Sequence, residues 1–306
     1  MSRPCPICAD SAENATLFVK RNIDPEKLSA FSFSSRKEPE FMSHRLVQCR
    51  TCDLVYVPEP PQDGELANAY HVADYDSAAE ALDAATTYIG AIAPTLAALK
   101  QRHDALEIGA GNGIFLTQLA ERGFTNLYGI EPSAAAIAAA PSELHTWLHQ
   151  GVFRESDFAP GSFDLICCFM TMEHVPDPHI IARACHRLLR PGGAFVTVTH
   201  DYRSRVNRVL GKRSPIIDIE HMQLFSKRSI EQLLIRTGYA SISVVPIANT
   251  YTIRYWLRLF PIPKTMKRLI AACLEVLRLD GIKLSVNVGN QMAVGFKPSN
   301  GEAALR

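Results

Sequence analysis

The segment Ala105-Leu-Glu-Ile-Gly-Ala-Gly-Asn-Gly-Ile-Phe-Leu116 decides the fold of this chain. Its first four residues form a short run that ends at glycine, which predicts a buried strand, and the apolar residues from Ile114 onward predict a helix. Gly109, Gly111 and Gly113 fill the turn between them, where missing side chains let a ligand approach the backbone and the helix N-terminus offers N–H groups to an anion. We therefore expect a ligand at this glycine loop.

Strands and helices alternate on either side of this unit. The predicted strands cover 104–109, 126–131, 146–150, 163–170 and 194–200, and the predicted helices cover 112–122, 133–140 and 180–190. This alternation is typical of a parallel, doubly wound, Rossmann-like sheet with its ligand at the carboxyl ends of the strands. Residues 289–298 are predicted to form a last, antiparallel strand. Glu131 ends the second strand, 22 residues after Gly109, where an acidic side chain suits a ribose diol.

The composition of the chain excludes several classes of protein. The chain has 306 residues, 47% hydrophobic and 21% charged, which excludes a disordered or fibrous chain. No apolar run approaches the roughly 18–20 residues that span a bilayer, and the first residues lack the apolar core of a secretory signal. We therefore expect a cytoplasmic, reducing location. The net charge of +1 hides a basic C-terminal third, because residues 200–285 hold 15 Lys or Arg and 6 Asp or Glu.

Four of the eight cysteines form two Cys-x-x-Cys pairs, Cys5 with Cys8 and Cys49 with Cys52. In a reducing compartment, two such pairs predict one closed, structural zinc site with four cysteine ligands rather than two unrelated pairs of buried thiols. The long insert between the pairs does not argue against the site, because loop-closure entropy grows slowly with length. The remaining cysteines are expected in the hydrophobic core, namely Cys167, Cys168, Cys185 and Cys273.

Several motifs together resemble the class I S-adenosylmethionine (SAM) dependent methyltransferases of type 11, 12 or 23. The matching stretches are Glu107-Ile-Gly-Ala-Gly-Asn-Gly113, Gly129-Ile-Glu-Pro-Ser133, Ser162-Phe-Asp-Leu-Ile166, Glu173-His-Val-Pro-Asp-Pro178, Leu189-Arg-Pro-Gly-Gly193 and Glu220-His-Met-Gln-Leu-Phe-Ser226. The cysteine pairs also resemble the zinc-binding front of many such enzymes. The resemblance implies a seven-stranded methyltransferase sheet behind a small zinc-ribbon-like module, with SAM and a structural zinc ion as cofactors.

The same resemblance implies roles for individual residues around SAM. Gly109, Gly111 and Gly113 would line its methionine end, and Glu131 would hold its ribose hydroxyls. Residues 151–153 would flank the adenine. The full cofactor-binding set implied by the resemblance is Glu107, Gly109, Gly111, Gly113, Glu131, Pro132, Phe153, Phe169 and Met170, the last two lying under the sulfonium.

On the acceptor side, the protein must align a nucleophile and remove its proton, a task that suits histidine near neutral pH. We expect His221 to be the general base, with Glu220 in support, and His174, which follows Glu173, to be the second candidate. The Glu220–His221 pair resembles the one in sugar C-methyltransferases. Those enzymes have a tyrosine where this chain has Asp218, and they carry a further C-terminal domain for which we expect no room here. Both differences weaken the hypothesis that this chain methylates carbon.

We expect three parts along the chain: a zinc-binding module at 1–61, a helical lead-in at 62–101, and a SAM methyltransferase domain at 102–300. A basic, amphipathic, lid-like insertion is expected at about 203–285. Within it, residues 250–280 interleave apolar and basic side chains. This segment is either a lid with its apolar face on the sheet, which we favour, or a peripheral contact with an anionic membrane or a diphosphate.

The first functional hypothesis is methyl transfer from SAM to an oxygen or carbon of a sugar, glycan, lipid-linked intermediate or related small metabolite. An rRNA base methyltransferase is the second, because some of these enzymes also begin with a zinc module. A zinc-ribbon binding protein with a degenerate methyltransferase core is the third. The basic excess lies far from the zinc module, which has few aromatic–basic pairs, so we expect no nucleic-acid partner.

Overall fold

A computed structural model describes residues 2–28, 32–33, 41–61, 71, 78–259 and 262–299. Its strands are β1 (Thr16–Val19), β2 (Leu46–Gln48), β3 (Val55–Tyr56), β4 (Asp104–Ile108), β5 (Asn126–Glu131), β6 (Leu148–Gln150), β7 (Phe163–Phe169), β8 (Leu189–His200), β9 (Gln223–Leu224), β10 (Ala240–Thr252) and β11 (Lys283–Phe296). Its helices are α1 (Ala78–Ala91), α2 (Ala93–Ala98), α3 (Ile114–Ala120), α4 (Ala134–Ala138), α5 (Pro178–Leu188), α6 (Arg205–Leu210), α7 (Lys227–Arg236), α8 (Ile253–Leu259) and α9 (Lys264–Val276). Most of the expected helical lead-in before residue 78 lies outside the described residues.

The central sheet has seven strands in the order β10-β11-β8-β7-β4-β5-β6. Strands β4 to β8 pair in parallel with one another, whereas β11 runs antiparallel to both β8 and β10. The chain reverses direction across the sheet after β6, so the carboxyl ends of β4, β5 and β7 meet at one edge. The predicted Rossmann-like methyltransferase sheet and its last antiparallel strand are confirmed.

The middle strand β7 shows why the sheet is buried on both faces. All seven of its residues are buried. Leu165, Cys167 and Phe169 belong to one hydrophobic cluster, and Ile166 and Cys168 belong to another. Because successive side chains point to opposite faces of a strand, this division places one core on each side of the sheet.

The cysteine predictions outside the zinc module divide in two. Cys167, Cys168 and Cys185 are buried, as expected, but Cys273 is exposed, so the prediction of a core position for Cys273 is wrong. Cys273 lies on helix α9, where none of the described side chains is fully buried. The helical spacing of the apolar residues is present, but the helix packs on α8 at the surface rather than on the sheet.

A second, four-stranded sheet forms at the N-terminus in the order β1-β2-β3-β9. Its last strand comes from the far end of the sequence: Tyr56 pairs with Gln223, and the amide of Val57 donates to the carbonyl of Met222 at 2.9 Å. The segment that directly follows His221 therefore completes the sheet of the cysteine module. This pairing holds the N-terminal module and the loop after β8 in one structure.

Candidate active site

The two cysteine knuckles have the same backbone form. The amide of Cys5 donates to the carbonyl of Asp10 at 2.8 Å, and the amide of Cys49 donates to that of Leu54 at 2.8 Å. In each knuckle the fifth residue is left-handed, with φ of 59° at Ala9 and 70° at Asp53. This repeated turn directs both sulfurs of a pair toward one point.

The four sulfurs fit a zinc ion. The Sγ atoms of Cys5 and Cys52 are 3.4 Å apart, as are those of Cys8 and Cys49, and all four lie within 4.8 Å of one another. Four thiolates at about 2.3 Å from a tetrahedral zinc ion would be about 3.8 Å apart, between these values. Four sulfurs also complete a tetrahedral coordination sphere, as in a structural rather than a catalytic site.

The glycine loop after β4 is held by the carboxylate that ends β5. Glu131 accepts hydrogen bonds from the amides of Gly111 and Ser133, both at 2.8 Å. Burial raises the pKa of Glu131, and these two donors act in the opposite direction. Each carboxylate oxygen can accept a further hydrogen bond, so Glu131 can hold the loop and bind hydroxyl groups at the same time.

The space beside this loop fits a bound cofactor. Gly111 has φ of 55°, and a Cβ atom built there would meet no atom within 4 Å, so the backbone borders open space. Glu107 is buried, and its Oε2 has no hydrogen-bond partner among the described residues. Burial and then the charge of Glu131 raise the pKa of Glu107 well above the ordinary carboxyl value. A buried, unsatisfied carboxyl oxygen of this kind suits a donor group of the ligand, such as the SAM ammonium.

A cavity of about 370 Å³ joins the glycine loop to the loops after β7 and β8. Seven of the nine residues in the expected cofactor-binding set line it, namely Glu107, Gly109, Gly111, Glu131, Pro132, Phe169 and Met170. The Phe169 ring contacts Phe115 edge-on and Tyr88 at a tilt, with ring centroids 4.7 Å apart in both pairs. The cavity therefore has an aromatic floor at the end of β7.

Two members of the set lie outside the lining of this cavity. Phe153 is half-buried and packs against the cluster on the opposite face of the sheet. Gly113 precedes helix α3 with φ of 73°, and a Cβ atom there would come within 3.2 Å of Leu148. The structure thus gives Gly113 a close-packing role between the loop and β6, and the contact of both residues with SAM stays a prediction.

Three histidines from separate parts of the chain meet in this cavity. The rings of His174 and His221 are 4.8 Å apart between centroids, and those of His200 and His221 are 5.6 Å apart. Nδ1 of His221 lies 2.7 Å from the carbonyl oxygen of Ile216, which can only accept a hydrogen bond. In the neutral ring, Nδ1 therefore carries the proton, and Nε2 carries the lone pair that a base requires.

The carboxylate expected to support His221 also lies near the second candidate. Oε2 of Glu220 is 3.8 Å from Nδ1 of His174, and the carbonyl oxygen of Glu220 is 3.3 Å from the same nitrogen. Ligand atoms of His174, Glu220 and His221 all lie within 4.8 Å of one another, close enough for a cation. The carbonyl of Ile216, rather than a carboxylate, sets the tautomer of His221.

Behind this pair lies a buried polar layer that sequence reasoning missed. Nδ1 of His200 is 2.8 Å from Oδ1 of Asn290, whose amide group donates to Asn249 at 2.9 Å. Burial and the nearby His221 lower the pKa of His200 to about 3, so this ring is neutral. Glu173 accepts from the amide of His200 at 2.7 Å, and burial raises its pKa to about 8. The sequence offered one signal for His200, namely its position at the end of β8, at the edge of the sheet where the ligand is expected.

The wall opposite the glycine loop is aromatic. Tyr251 is the penultimate residue of β10, Tyr255 and Trp256 lie on α8, and all three line the cavity. The rings of Tyr251 and Tyr255 are 4.4 Å apart, and those of Tyr251 and Trp256 are 5.4 Å apart. The sequence showed that this segment is apolar, but it reaches the site only because β10 and β11 pair as antiparallel strands in the folded protein.

This fold and site define a class I SAM-dependent methyltransferase. Residues 79–244, more than half of the chain, match the Methyltransf_23 family, described as a methyltransferase domain. The chain therefore belongs to that family. The expected enzyme class and the SAM cofactor are confirmed.

Curated relatives match a shorter stretch. A ubiquinone biosynthesis O-methyltransferase of Pseudomonas aeruginosa (strain UCBPP-PA14) is 42% identical over 117 residues, 35% of this chain and 49% of that protein. The enzyme of the same name from Sodalis glossinidius is 36% identical over 115 residues, 35% of this chain and 46% of that protein. This chain thus spans about half the length of these relatives.

Solved structures are similar at lower identity. A phosphoethanolamine N-methyltransferase 2 of Haemonchus contortus, solved with SAM, has a TM-score of 0.49 and 18% identity over 79% of this chain and 62% of that chain. A SAM-dependent methyltransferase of Archaeoglobus fulgidus has a TM-score of 0.48 and 13% identity over 70% of this chain and 94% of that chain.

Proposed function

We propose that this protein transfers the methyl group of SAM to a hydroxyl oxygen of a small acceptor, with His221 as the base. The observation that carries the proposal is the 2.7 Å contact between His221 Nδ1 and the Ile216 carbonyl, which assigns the proton of the neutral ring to Nδ1 of a histidine that lines the cavity. Oxygen is favoured over carbon because the curated relatives are named O-methyltransferases. Bound SAM supplies the methyl group and the thioether leaving group.

The chain's own residues divide the remaining work. Glu131 and Glu107 would hold the cofactor beside the glycine loop, and Phe169 would support it from the floor of the cavity. Nε2 of His221 would take the proton of the acceptor's hydroxyl group, and SAM, when bound, would supply the methyl group for that oxygen. His200, held neutral by burial, adds no charge that would oppose protonation of His221.

The acceptor is inferred from the aromatic wall. Tyr251, Tyr255 and Trp256 offer ring faces and few charges, which suits a flat apolar ring or the apolar face of a sugar. The sugar or glycan expected from sequence and the phenolic ring suggested by the name of the relatives both meet this requirement. We place the hydroxylated aromatic acceptor first because of those relatives.

The test is transfer of radiolabelled methyl from SAM to a panel of catechols, simple phenols and nucleotide sugars. Product from a catechol or phenol, sensitive to His221→Ala, supports the proposal. Transfer to nucleotide sugars alone would keep the methyltransferase and replace the acceptor class. Label retained only in rRNA would overturn the small-molecule acceptor.

The cluster of His174, Glu220 and His221 requires one further experiment, because a cation bound there would occupy the lone pair of His221. Assays after chelator treatment, with the zinc content checked to show that the cysteine site is still filled, separate the two roles. Activity that persists supports His221 as a base. Activity that disappears and returns with Mg²⁺ would overturn that role.

A further inference from the structure

We propose that helix α9 and the turn after it form a docking surface for an anionic membrane. We call the apolar side chains on its outer side the α9 stripe: Met266, Leu269, Val276 and Leu277, which are 49%, 68%, 83% and 64% exposed. Large apolar side chains at this exposure are unfavourable in water unless another apolar phase covers them. The stripe is thus the feature that needs a partner.

The stripe is the exposed part of the apolar face of helix α9. Met266, Leu269 and Val276 follow one another at helical spacings of three and seven residues, so they share a face. Ile270, four residues after Met266, and Leu274 continue that face and are half-buried. Among the described residues, the apolar face is therefore half-buried along one side and exposed along the stripe.

The basic side chains near the stripe indicate what kind of partner it binds. Residues 250–280 contain six Lys or Arg and two acidic residues. Arg268, directly before Leu269, is exposed, as is Arg278 after the helix. Basic side chains that flank an apolar helical face are attracted to anionic phospholipid headgroups while the apolar side chains enter the boundary layer. A second copy would bring two basic surfaces together, which like-charge repulsion opposes.

Length determines how the helix would meet the bilayer. Helix α9 has 13 residues, fewer than the roughly 20 needed to span the hydrocarbon core. Among the described residues no helix has the length and apolar character of a membrane span. The stripe is therefore suited to lie in the plane of the interface, with the rest of the molecule on the aqueous side.

The surface adjoins the acceptor wall. Helix α8, which carries Tyr255 and Trp256 into the cavity, packs against α9, and Lys267 of α9 donates a hydrogen bond to the carbonyl of Arg258 on α8. Leu284 and Val286 of β11, the strand that follows α9 in the chain, are also exposed, by 45% and 38%. A hydroxylated ring with an apolar tail could reach the cavity from a membrane on this side. That last step rests on the proposed function, whereas membrane binding itself does not.

The experiment is vesicle flotation of the full-length protein. Vesicles of phosphatidylcholine with 30% phosphatidylglycerol should carry the protein to the top of the gradient, and vesicles of phosphatidylcholine alone should carry at least fivefold less. The double variant Leu269→Asp/Val276→Asp should lose at least tenfold in bound fraction. The matched control Ile180→Asp changes another exposed apolar helix residue, 61% exposed on α5, and should bind like the wild type.

Three results would overturn the proposal. They are no flotation with anionic vesicles, equal loss in the Ile180→Asp control, and a wild-type dimer in sedimentation velocity that the double variant dissociates. SAM affinity, measured by calorimetry, should be the same in all three proteins because none of the changed residues lines the cavity. Flotation without methyl transfer would fault the proposed function alone, and methyl transfer without flotation would fault the docking surface alone.

Discussion

The Nδ1 atom of His221 lies 2.7 Å from the carbonyl oxygen of Ile216, five residues earlier in the same loop. A carbonyl accepts only, so this contact selects the tautomer of the neutral ring in which Nδ1 carries the proton. The loop that makes it is fixed in turn by the N-terminal sheet, since Met222 and Gln223 bond to β3 and to the backbone of Glu173. The cysteine module thus supports His221 through this sheet, and its Phe33 also lines the cavity.

The first prediction concerns His221. Replacing it by alanine removes the proton acceptor, so we expect turnover to fall by about 10²–10⁴-fold. SAM affinity and the melting temperature should change little, because Glu131 and Glu107 are untouched. Steady-state kinetics and calorimetry test this, with His149→Ala, at an exposed position on β6, as the control. A variant that melts early and loses SAM would instead assign His221 a structural role.

The second prediction uses the open space at Gly111. Leucine at this position would place a side chain where the cofactor lies, so SAM affinity should fall at least tenfold. Gly161 is a matched control: its φ is 67°, a Cβ atom there also meets nothing within 4 Å, and it lies away from the cavity. Both substitutions carry similar backbone strain, so only Gly111→Leu should affect SAM. Equal affinities in the two variants would exclude Gly111 from the cofactor site.

The third prediction concerns Glu131. Alanine removes an acceptor of charge-assisted hydrogen bonds, each worth about 1.5–3 kcal/mol, and also releases the amide of Gly111. We expect SAM affinity to fall at least tenfold while the fold persists by circular dichroism. Glu121→Ala, just after α3, should bind SAM normally. Undiminished affinity in Glu131→Ala would remove this residue from the cofactor site.

The fourth prediction links the metal to catalysis. Purified protein should contain one zinc ion per chain, and Cys49→Ser should lose it, together with thermal stability. Because β3 holds the segment after His221, turnover should fall more than SAM affinity. Cys273→Ser, at the exposed cysteine, should keep zinc, stability and turnover. Metal analysis below half an equivalent in unchelated wild-type protein would contradict the site.

The fifth prediction is a pH dependence at Glu173. Burial raises its pKa to about 8, so the folded protein keeps a proton that the unfolded chain releases above about pH 4.3. The stability from this group is complete below that value and is lost as pH rises through 8. The free energy of unfolding of Glu173→Gln, relative to wild type, should therefore grow from pH 5 to 8, by up to about 1.4 kcal/mol per pH unit.

Urea unfolding at several pH values measures this difference, and comparison with the wild type cancels the pH dependence of all other groups. Glu155→Gln is the control of opposite sign, because Arg187 lowers the pKa of Glu155, so its contribution changes only in acid. Parallel stability curves for wild type and Glu173→Gln would show that the buried carboxyl keeps an ordinary pKa.

The cofactor half of the site follows from sequence because its signals are local. The glycine loop, Glu107 and Glu131 lie within or directly after β4 and β5, and adjacent parallel strands bring their carboxyl ends together in any such sheet. The Cys-x-x-Cys pairs are equally local, since each knuckle is one short turn. To predict these features, the fold class was enough, and no further knowledge of the tertiary structure was needed.

The acceptor half depended on contacts between distant segments. His174 and His221 could be named as candidates from their positions after β7 and β8, but His200 and Ile216 acquire their roles only through packing, and α8 reaches the cavity only through the long β10–β11 hairpin. The contact between His221 and the Ile216 carbonyl also arises only in the folded loop, because it depends on the backbone path from 216 to 221. Likewise, helical periodicity in α9 identified an apolar stripe, but only the tertiary structure decided that it lies at the surface.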